Sequence, residues 1–481
     1  MNLNLKPYPA MRDSGVPWLG EMPEHWKVRR GKDFLRAVDV RSETGDEELL
    51  TVSSERGVVP RRTASVTMFK AESYAGHKLC WPGDLVINSL WAWARGLAVS
   101  RHHGIVSTAY GVYRPRKGTD VEPQFLHQLV RSTPFHWELQ VRSKGVWTSR
   151  LQLTDESFLG APFPLPPLPE QAAIVRFIDY VDRRIRRYIR AKQRLIKLLE
   201  EQKQAIIHQA VTGQIDVRTG KPYPAYKPSG IEWLGDVPEQ WDVSALRRRW
   251  SVTDCKHLTV PFVEDEDGIP LASVREVQSF ELSLVSANRT NLEFYESLIE
   301  GGRKPERDDL IYCRNVSVGA AAVVTTDEPL AMGQDVCLIR SSSENQRYLN
   351  CFLRSPIMLH QLSTLLVGST FNRINVADIK ALTIVVPPCD EQDAIATHLD
   401  GKLKEAASAQ ALAEEEIELL NEYRTRLIAD VVTGKLDVRE AAADLPEEPD
   451  DLEQEGEPED LAPGEADAEI DEEASEADDD A

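Results

Sequence analysis

Four clusters in the sequence carry side chains that catalysis or metal binding uses, and each fails on spacing. His102-His103-Gly104 offers two imidazoles, but no further ligand stands at a metal-site interval, so a polar turn is expected. Asp308-Asp309 has the carboxylates of a nuclease pair. No lysine follows at a suitable distance on the same strand, and a turn entering a strand at Leu310 is expected instead. Val386-Pro387-Pro388-Cys389 has the paired prolines of the N-P-P-Y motif used in adenine methylation. It lacks the polar first residue and the aromatic last one, and no glycine-rich loop for S-adenosylmethionine accompanies it, so a proline-rich strand exit is expected. The six cysteines (Cys80, Cys255, Cys313, Cys337, Cys351, Cys389) form no C-x-x-C pair and have no histidine at zinc-finger spacing. That pattern predicts reduced thiols in a cytoplasmic protein. There is also no G-x-x-x-x-G-K-[ST] phosphate loop. The chain is therefore expected to have no catalytic residue, no metal site and no cofactor of its own, and its function is sought in binding.

The strongest signal is a duplication. Residues 6–26 (KPYPAMRDSGVPWLGEMPEHW) and 221–241 (KPYPAYKPSGIEWLGDVPEQW) agree at 13 of 21 positions, at an offset of 215. Residues 211–218 (VTGQIDVR) and 432–439 (VTGKLDVR) agree at six of eight, at an offset of 221. The same 221 offset aligns Glu170-Gln171 with Glu391-Gln392, each after a proline-rich exit. A weaker match lies between them, GVWTSRLQL from Gly145 with GSTFNRINV from Gly368, where Gly145/Gly368 and Arg150/Arg373 coincide. Each copy runs lead-in, globular segment, proline exit, long helix, VTG…DVR. The second lead-in follows the first VTG…DVR directly. Closing the chain into a ring would place the first lead-in after the second VTG…DVR in the same way, which predicts neighbouring chain ends and a pseudo-two-fold repeat.

The helical segments are legible from periodicity. Between Glu170 and Ala210 there is neither proline nor glycine, and Gly213 lies just beyond. Ile174, Ile178, Val181, Ile185, Tyr188, Lys192, Leu195, Leu199, Gln202 and Ile206 follow 4-3 spacing, a coiled-coil seam. A second helix is expected over about 391–430, with a less regular seam (Ile395, Leu399, Ala406, Ile417, Leu420, Leu427) that Gly401 weakens. Residues 166–212 carry ten Lys/Arg and five Asp/Glu, whereas 388–430 carry four and eleven. Opposite charge favours pairing of the two helices over self-pairing of either. The basic run Arg183 to Arg194 also suits phosphates.

Five segments result: 1–165 globular, 166–212 helix, 213–387 globular with its lead-in, 388–440 helix and 441–481 tail. The globular segments combine short β-like runs with a short helix each (123–132 and 346–355), so the fold class is mixed α/β. Residues 1–165 hold 22 Lys/Arg against 17 Asp/Glu, a mild basicity compatible with nucleic acid. The net charge of −22 misleads, because residues 442–481 contain 20 Asp/Glu and no Lys/Arg, which leaves about −2 for the rest. That tail is too poor in large apolar residues to offset its ordering entropy and is expected to be disordered. No secretion signal or membrane span is expected.

The duplication, the exit PLPEQ (Pro167 to Gln171), the helix length and the closing VTG…DVR together resemble the specificity subunits of type I restriction-modification enzymes. The run Ile87 to Pro115 also resembles that family's first-domain core. The resemblance spans about residues 1–440. It implies two target recognition domains, each reading half of a split double-stranded DNA target, and two helices packed as an antiparallel coiled coil that sets the spacer. It further implies methyltransferase subunits, two of them, docked on the helices and carrying S-adenosylmethionine, and motor-nuclease subunits using ATP and Mg. Bases are read by Arg, Asn and Gln on loops of a rigid scaffold. On that basis the candidate DNA-binding residues of the first domain are Asn88, Ser89, Trp91, Trp93, Arg95, Trp147, Thr148, Ser149 and Arg150. Those of the second are Arg314, Asn315, Thr370, Asn372 and Arg373. Trp91 and Trp93 alternate, so one is expected outside and one in the core. Arg150 and Arg373 occupy matching positions, which suits phosphate or structure better than sequence readout. Two other readings fit the same residues: an orphan or regulatory DNA-binding protein, and a coiled-coil adaptor with no DNA role.

Overall fold

The computed structural model describes residues 5–64, 73–145, 151–264, 268–366 and 373–446. The chain divides into two compact units, residues 1–190 with 417–481, and residues 191–416. Each holds one globular segment and opposite ends of the two long helices, Leu168–Val211 and Cys389–Val432. That is the order an antiparallel pair has. The chain is thus a mixed α/β protein with two long helices, as its sequence implies. Among the described residues no helix is long and apolar enough to cross a membrane.

Each unit is built on a four-stranded antiparallel sheet of the same order. In unit 1 the order is Leu35–Ala37, Tyr110–Pro115, Leu85–Asn88, Leu97–Val99. In unit 2 it is Ser251–Asp254, Val336–Arg340, Leu310–Cys313, Ala321–Val323. The inner strands read as unbroken apolar runs because both sheet faces are covered, and side chains alternate between faces. Leu85 and Ile87 enter the main core while Val86 enters a smaller one with Leu50, Val52 and Val58. Leu310 and Tyr312 divide from Ile311 and Cys313 in the same way. The proline exits close each segment as strands: Pro162–Leu165 pairs with Lys27–Arg30, and Thr383–Val386 with Asp242–Ala245.

The shared Glu-Gln pair explains itself here. Glu170 is buried and accepts hydrogen bonds from the Tyr8 phenol (2.6 Å) and the Trp26 indole (2.8 Å), with His25 Nε2 at 2.7 Å. Glu391 accepts from Tyr223 (2.9 Å), Trp241 (2.8 Å) and Gln240 (3.2 Å). The lead-in aromatics of each copy are thus fastened to the start of a long helix. Gln171 takes the Glu122 amide N–H at the start of helix Pro123–Val130, and Gln392 takes that of Asn345 at the start of helix Gln346–Leu353. The VTG…DVR closure completes the clasp. The Asp216 amide donates to the Lys221 carbonyl and the Asp437 amide to that of Lys6, both at 2.8 Å. Arg439 lies 5.1 Å from the Tyr8 ring centre. The second closure therefore packs on the first lead-in, as the ring order requires. Gly434, at φ +77°, has no room for a side chain, because a Cβ would stand 2.4 Å from Pro23.

A turn enters the strand at Leu310 as expected, and Asp309 there is a buried partner of Arg340, held bidentately at 2.7 and 2.5 Å; Asp84 and Arg114 match it in unit 1. Three expectations change. The first-helix seam holds from Ile174 to Ile185, breaks at Tyr188 and Leu195, which are 54% and 41% exposed, and packs again at Ile206 against the unit 2 core. Packing continues past residue 440. Helix Arg439–Ala443 buries Ala442, and Leu445 packs against the unit 1 core. Short helices that the sequence did not suggest, Thr133–Arg142 and Pro356–Leu366, follow the matching Arg131-Ser132 and Arg354-Ser355. The rest of the tail, 447–481, lies outside the described residues, and its expected disorder with it.

Gly401 sits inside the second long helix with open space around a built Cβ. Gly401→Ala removes backbone freedom from the unfolded chain without a clash. A gain of about 0.5–1 kcal/mol is expected in a urea midpoint measurement, and no gain would mean the glycine has a packing role.

Candidate nucleic-acid interface

In unit 1 the candidate turn follows the inner strand Leu85–Asn88. The Asn88 amide N–H donates to the Gly96 carbonyl (2.8 Å), so residues 89–95 form a loop closed at its base. Asn88 is itself buried, and its Oδ1 accepts from the Leu90 amide at 3.2 Å. Its side chain therefore shapes the turn. Trp91 and Trp93 do not alternate on a strand. A 3-10 turn over Ala92–Ala94 buries Ala92 and stacks the two indoles at 5.7 Å and 17°, both half-buried. Trp93 Nε1 donates to the Leu90 carbonyl at 2.8 Å. Arg95, in the left-handed region at φ +65°, is half-buried and reaches Thr133 Oγ1 at 3.1 Å. Ser89, half-buried, offers its carbonyl to the Leu153 amide (3.0 Å), close in sequence to Trp147, Thr148, Ser149 and Arg150. Those four candidates lie outside the described residues.

Unit 2 repeats this design with other residues. The turn after Leu310–Cys313 begins at Arg314, whose carbonyl accepts from the Ile374 amide at 2.9 Å. Asn315 and Arg373 are bridge partners, so the inner-strand turn and the following loop meet here too. Asn315 is half-exposed and Arg373 exposed. Thr370 and Asn372 lie outside the described residues. Arg314 is 4% exposed and pairs with Asp254 Oδ2 at 3.2 Å, so it anchors the turn.

Asp254, Cys255 and His257 bring a carboxylate, a thiol and an imidazole within 4.8 Å of one another, a grouping that cysteine spacing alone did not reveal. The buried Arg314 guanidinium on the same carboxylate supplies the positive charge there.

Sequence reasoning also missed two supporting arginines. Arg131 donates to the carbonyls of Leu97 (3.0 Å), Ser54 (2.6 Å) and Glu55 (2.7 Å). Arg354 donates to those of Ala321, Val277 and Ser279. Burial pushes both guanidinium pKa values down to about 10, and in Arg131 the charges of Arg95 and Arg424 add to the effect. The turn of unit 1 thus stands over clustered positive charge, which an approaching phosphate would relieve. The matching Arg-Ser pairs were the available signal, but nothing in them told a buried strut from a surface contact.

The comparisons with known proteins agree with this geometry. Residues 286–416 match the family model described as type I restriction modification DNA specificity domain. The putative type I restriction enzyme MjaX specificity subunit of Methanocaldococcus jannaschii is 21% identical over 453 residues, covering 88% of this chain and 96% of that one. The type I restriction enzyme EcoBI specificity subunit of Escherichia coli is 22% identical over 279 residues, 57% of this chain and 58% of that one. The chain is similar in sequence to type I restriction-modification specificity subunits along most of its length. The fold is shared with solved structures. A chain from work on complex assembly and conformational transition of the type I R-M system superposes with a TM-score of 0.65 at 19% identity, covering 86% of this chain and 99% of itself. The HsdS subunit of Thermoanaerobacter tengcongensis gives 0.50 at 18%, over 86% and 98%. Specificity subunits are the non-catalytic members of their systems, and these matches support a DNA sequence-specificity function for the chain.

Proposed function

We propose that this chain reads a bipartite double-stranded DNA target, one half-site per unit, with the spacer set by the two long helices. The observation that carries the reading is the reuse of one frame for different contents. In both units a turn after the inner strand is joined to the next loop by the same backbone bond, Leu153 N to Ser89 O and Ile374 N to Arg314 O. The exposed side chains on the two turns differ. Two readers on matching frames suit a split target whose halves differ. Methyltransferase and motor-nuclease subunits are the proposed partners. They would supply S-adenosylmethionine, ATP and Mg, and the complex would work in the cytoplasm.

Selection from a random duplex library, with the methyltransferase subunit of the same system present, tests this. Enrichment of two short motifs at a fixed separation is expected. Enrichment of one contiguous motif, or of none, would overturn the reading.

A further inference from the structure

We infer that the acidic C-terminal segment, residues 447–481, docks on the arginine-rich stretch of the first long helix within its own unit and competes there with nucleic-acid phosphates. The described chain does not leave the unit at an arbitrary place. After Ala442 is buried, the Leu445 carbonyl accepts a hydrogen bond from Arg176 Nη2 at 2.8 Å, which delivers the chain onto the first long helix. Two turns further along that helix come Arg183, Arg184, Arg186, Arg187 and Arg190, with no acidic residue between 183 and 190. Arg183, Arg186, Arg187 and Arg190 are exposed.

The five arginines outnumber the acids on the same stretch of helix, Asp179 and Asp182. Asp182 is shared between Arg186 and Arg424, and Asp179 is half-buried. Glu418 and Glu422 on the second long helix are exposed. The occupant's chemistry is complementary: 35 residues with 19 Asp/Glu and no Lys/Arg. Arg190 stands about 21 Å along the helix axis from Arg176. Thirty-five residues reach up to roughly 115 Å when extended, so length is no obstacle. A tether anchored beside its target acts at an effective concentration on the order of millimolar, which a separate polyanion must exceed to displace it.

The docking itself does not depend on the DNA-reading proposal; the competition does, and two readouts separate them. The first compares modification of Arg183–Arg190 by phenylglyoxal, without DNA, in the full chain and in a chain ending at Pro446. The full chain is expected to react several-fold more slowly at low salt, with the difference lost at about 0.5 M salt, where screening is short-ranged. A synthetic 447–481 peptide should restore protection to the shortened chain. The second is affinity for an unrelated duplex, expected to rise about tenfold at low salt when the segment is removed. A full-length variant with the 19 Asp/Glu residues changed to their amides should behave like the shortened chain, which separates charge from truncation. Equal reactivity in all three proteins overturns the docking. Protection without a change in duplex affinity overturns the competition. If no form binds any duplex while protection persists, the DNA-reading function fails and the docking stands.

Discussion

Glu170→Ala is expected to lower the stability of unit 1 by about 3–5 kcal/mol. The carboxylate is buried and accepts from a phenol at 2.6 Å and an indole at 2.8 Å, both reaching across more than 140 residues of chain. Removing it leaves two buried donors without an acceptor. An orphaned buried donor costs about 1–3 kcal/mol, and bonds to a charged group lie at the upper end. Alanine adds the lost packing of the glutamate stem. Glu170→Gln keeps one carbonyl acceptor and should cost less than half as much. The same pair of substitutions at Glu391 should act on unit 2, where Tyr223 and Trp241 are the donors. Urea unfolding followed by tryptophan fluorescence measures this, since Trp26 and Trp241 themselves lose the bond. Because the cluster is buried, the loss should change little between about 0.1 and 1 M salt. A midpoint for Glu170→Ala within error of the parent chain would show that the Glu-Gln pair matters for something other than the clasp.

That clasp was visible in the sequence as repetition but not as a bond. Tyr8, Trp26 and Glu170 recur at Tyr223, Trp241 and Glu391, yet the offsets, 215 and 221, said only that both ends of each copy were shared. The helices were legible because their signal is local: apolar spacing, a proline start and a glycine stop placed them within about two residues at each end. The seam failed at Tyr188 and Leu195 because a 4-3 pattern records what a partner would cover, not whether one lies opposite at that point. The geometry of the turns was not legible for a different reason. Arg314, Asn88 and the Trp91–Trp93 pair all stand where a strand ends, and one residue of extra strand or one turn of 3-10 helix reverses which side chain faces out. Arg314 became an anchor because Asp254, 60 positions earlier, lies beneath it. No local pattern carries that information. Asn315 and Arg373 came together because a backbone bridge joins two loops 58 positions apart, which the loose match between the copies had suggested at only one end.

Those two residues supply the sharper functional test, because they should fail differently when removed. Asn315 is half-exposed on its turn, and its side-chain oxygen accepts from the Val316 N–H at 3.0 Å. An asparagine amide matches the N6/N7 edge of adenine, and a good pair discriminates by about 1–3 kcal/mol. Asn315→Ala should therefore relax preference at one base pair of the half-site read by unit 2, by roughly 5- to 150-fold, with little change in affinity for unrelated duplex. Arg373 is exposed, and the backbone bond shared by the two units places Gln152 at the matching position; an exposed arginine beside the turn suits a phosphate contact. Arg373→Ala should weaken binding about equally for all sequences and reduce the slope of log affinity against log salt by about one. Library selection with a salt titration on each variant measures both effects. A changed base preference in Arg373→Ala, or a uniform loss with a reduced salt slope in Asn315→Ala, would reverse the assignments. In both variants the half-site read by unit 1 should be unchanged, since its turn is built on its own sheet and shares no described contact with either residue.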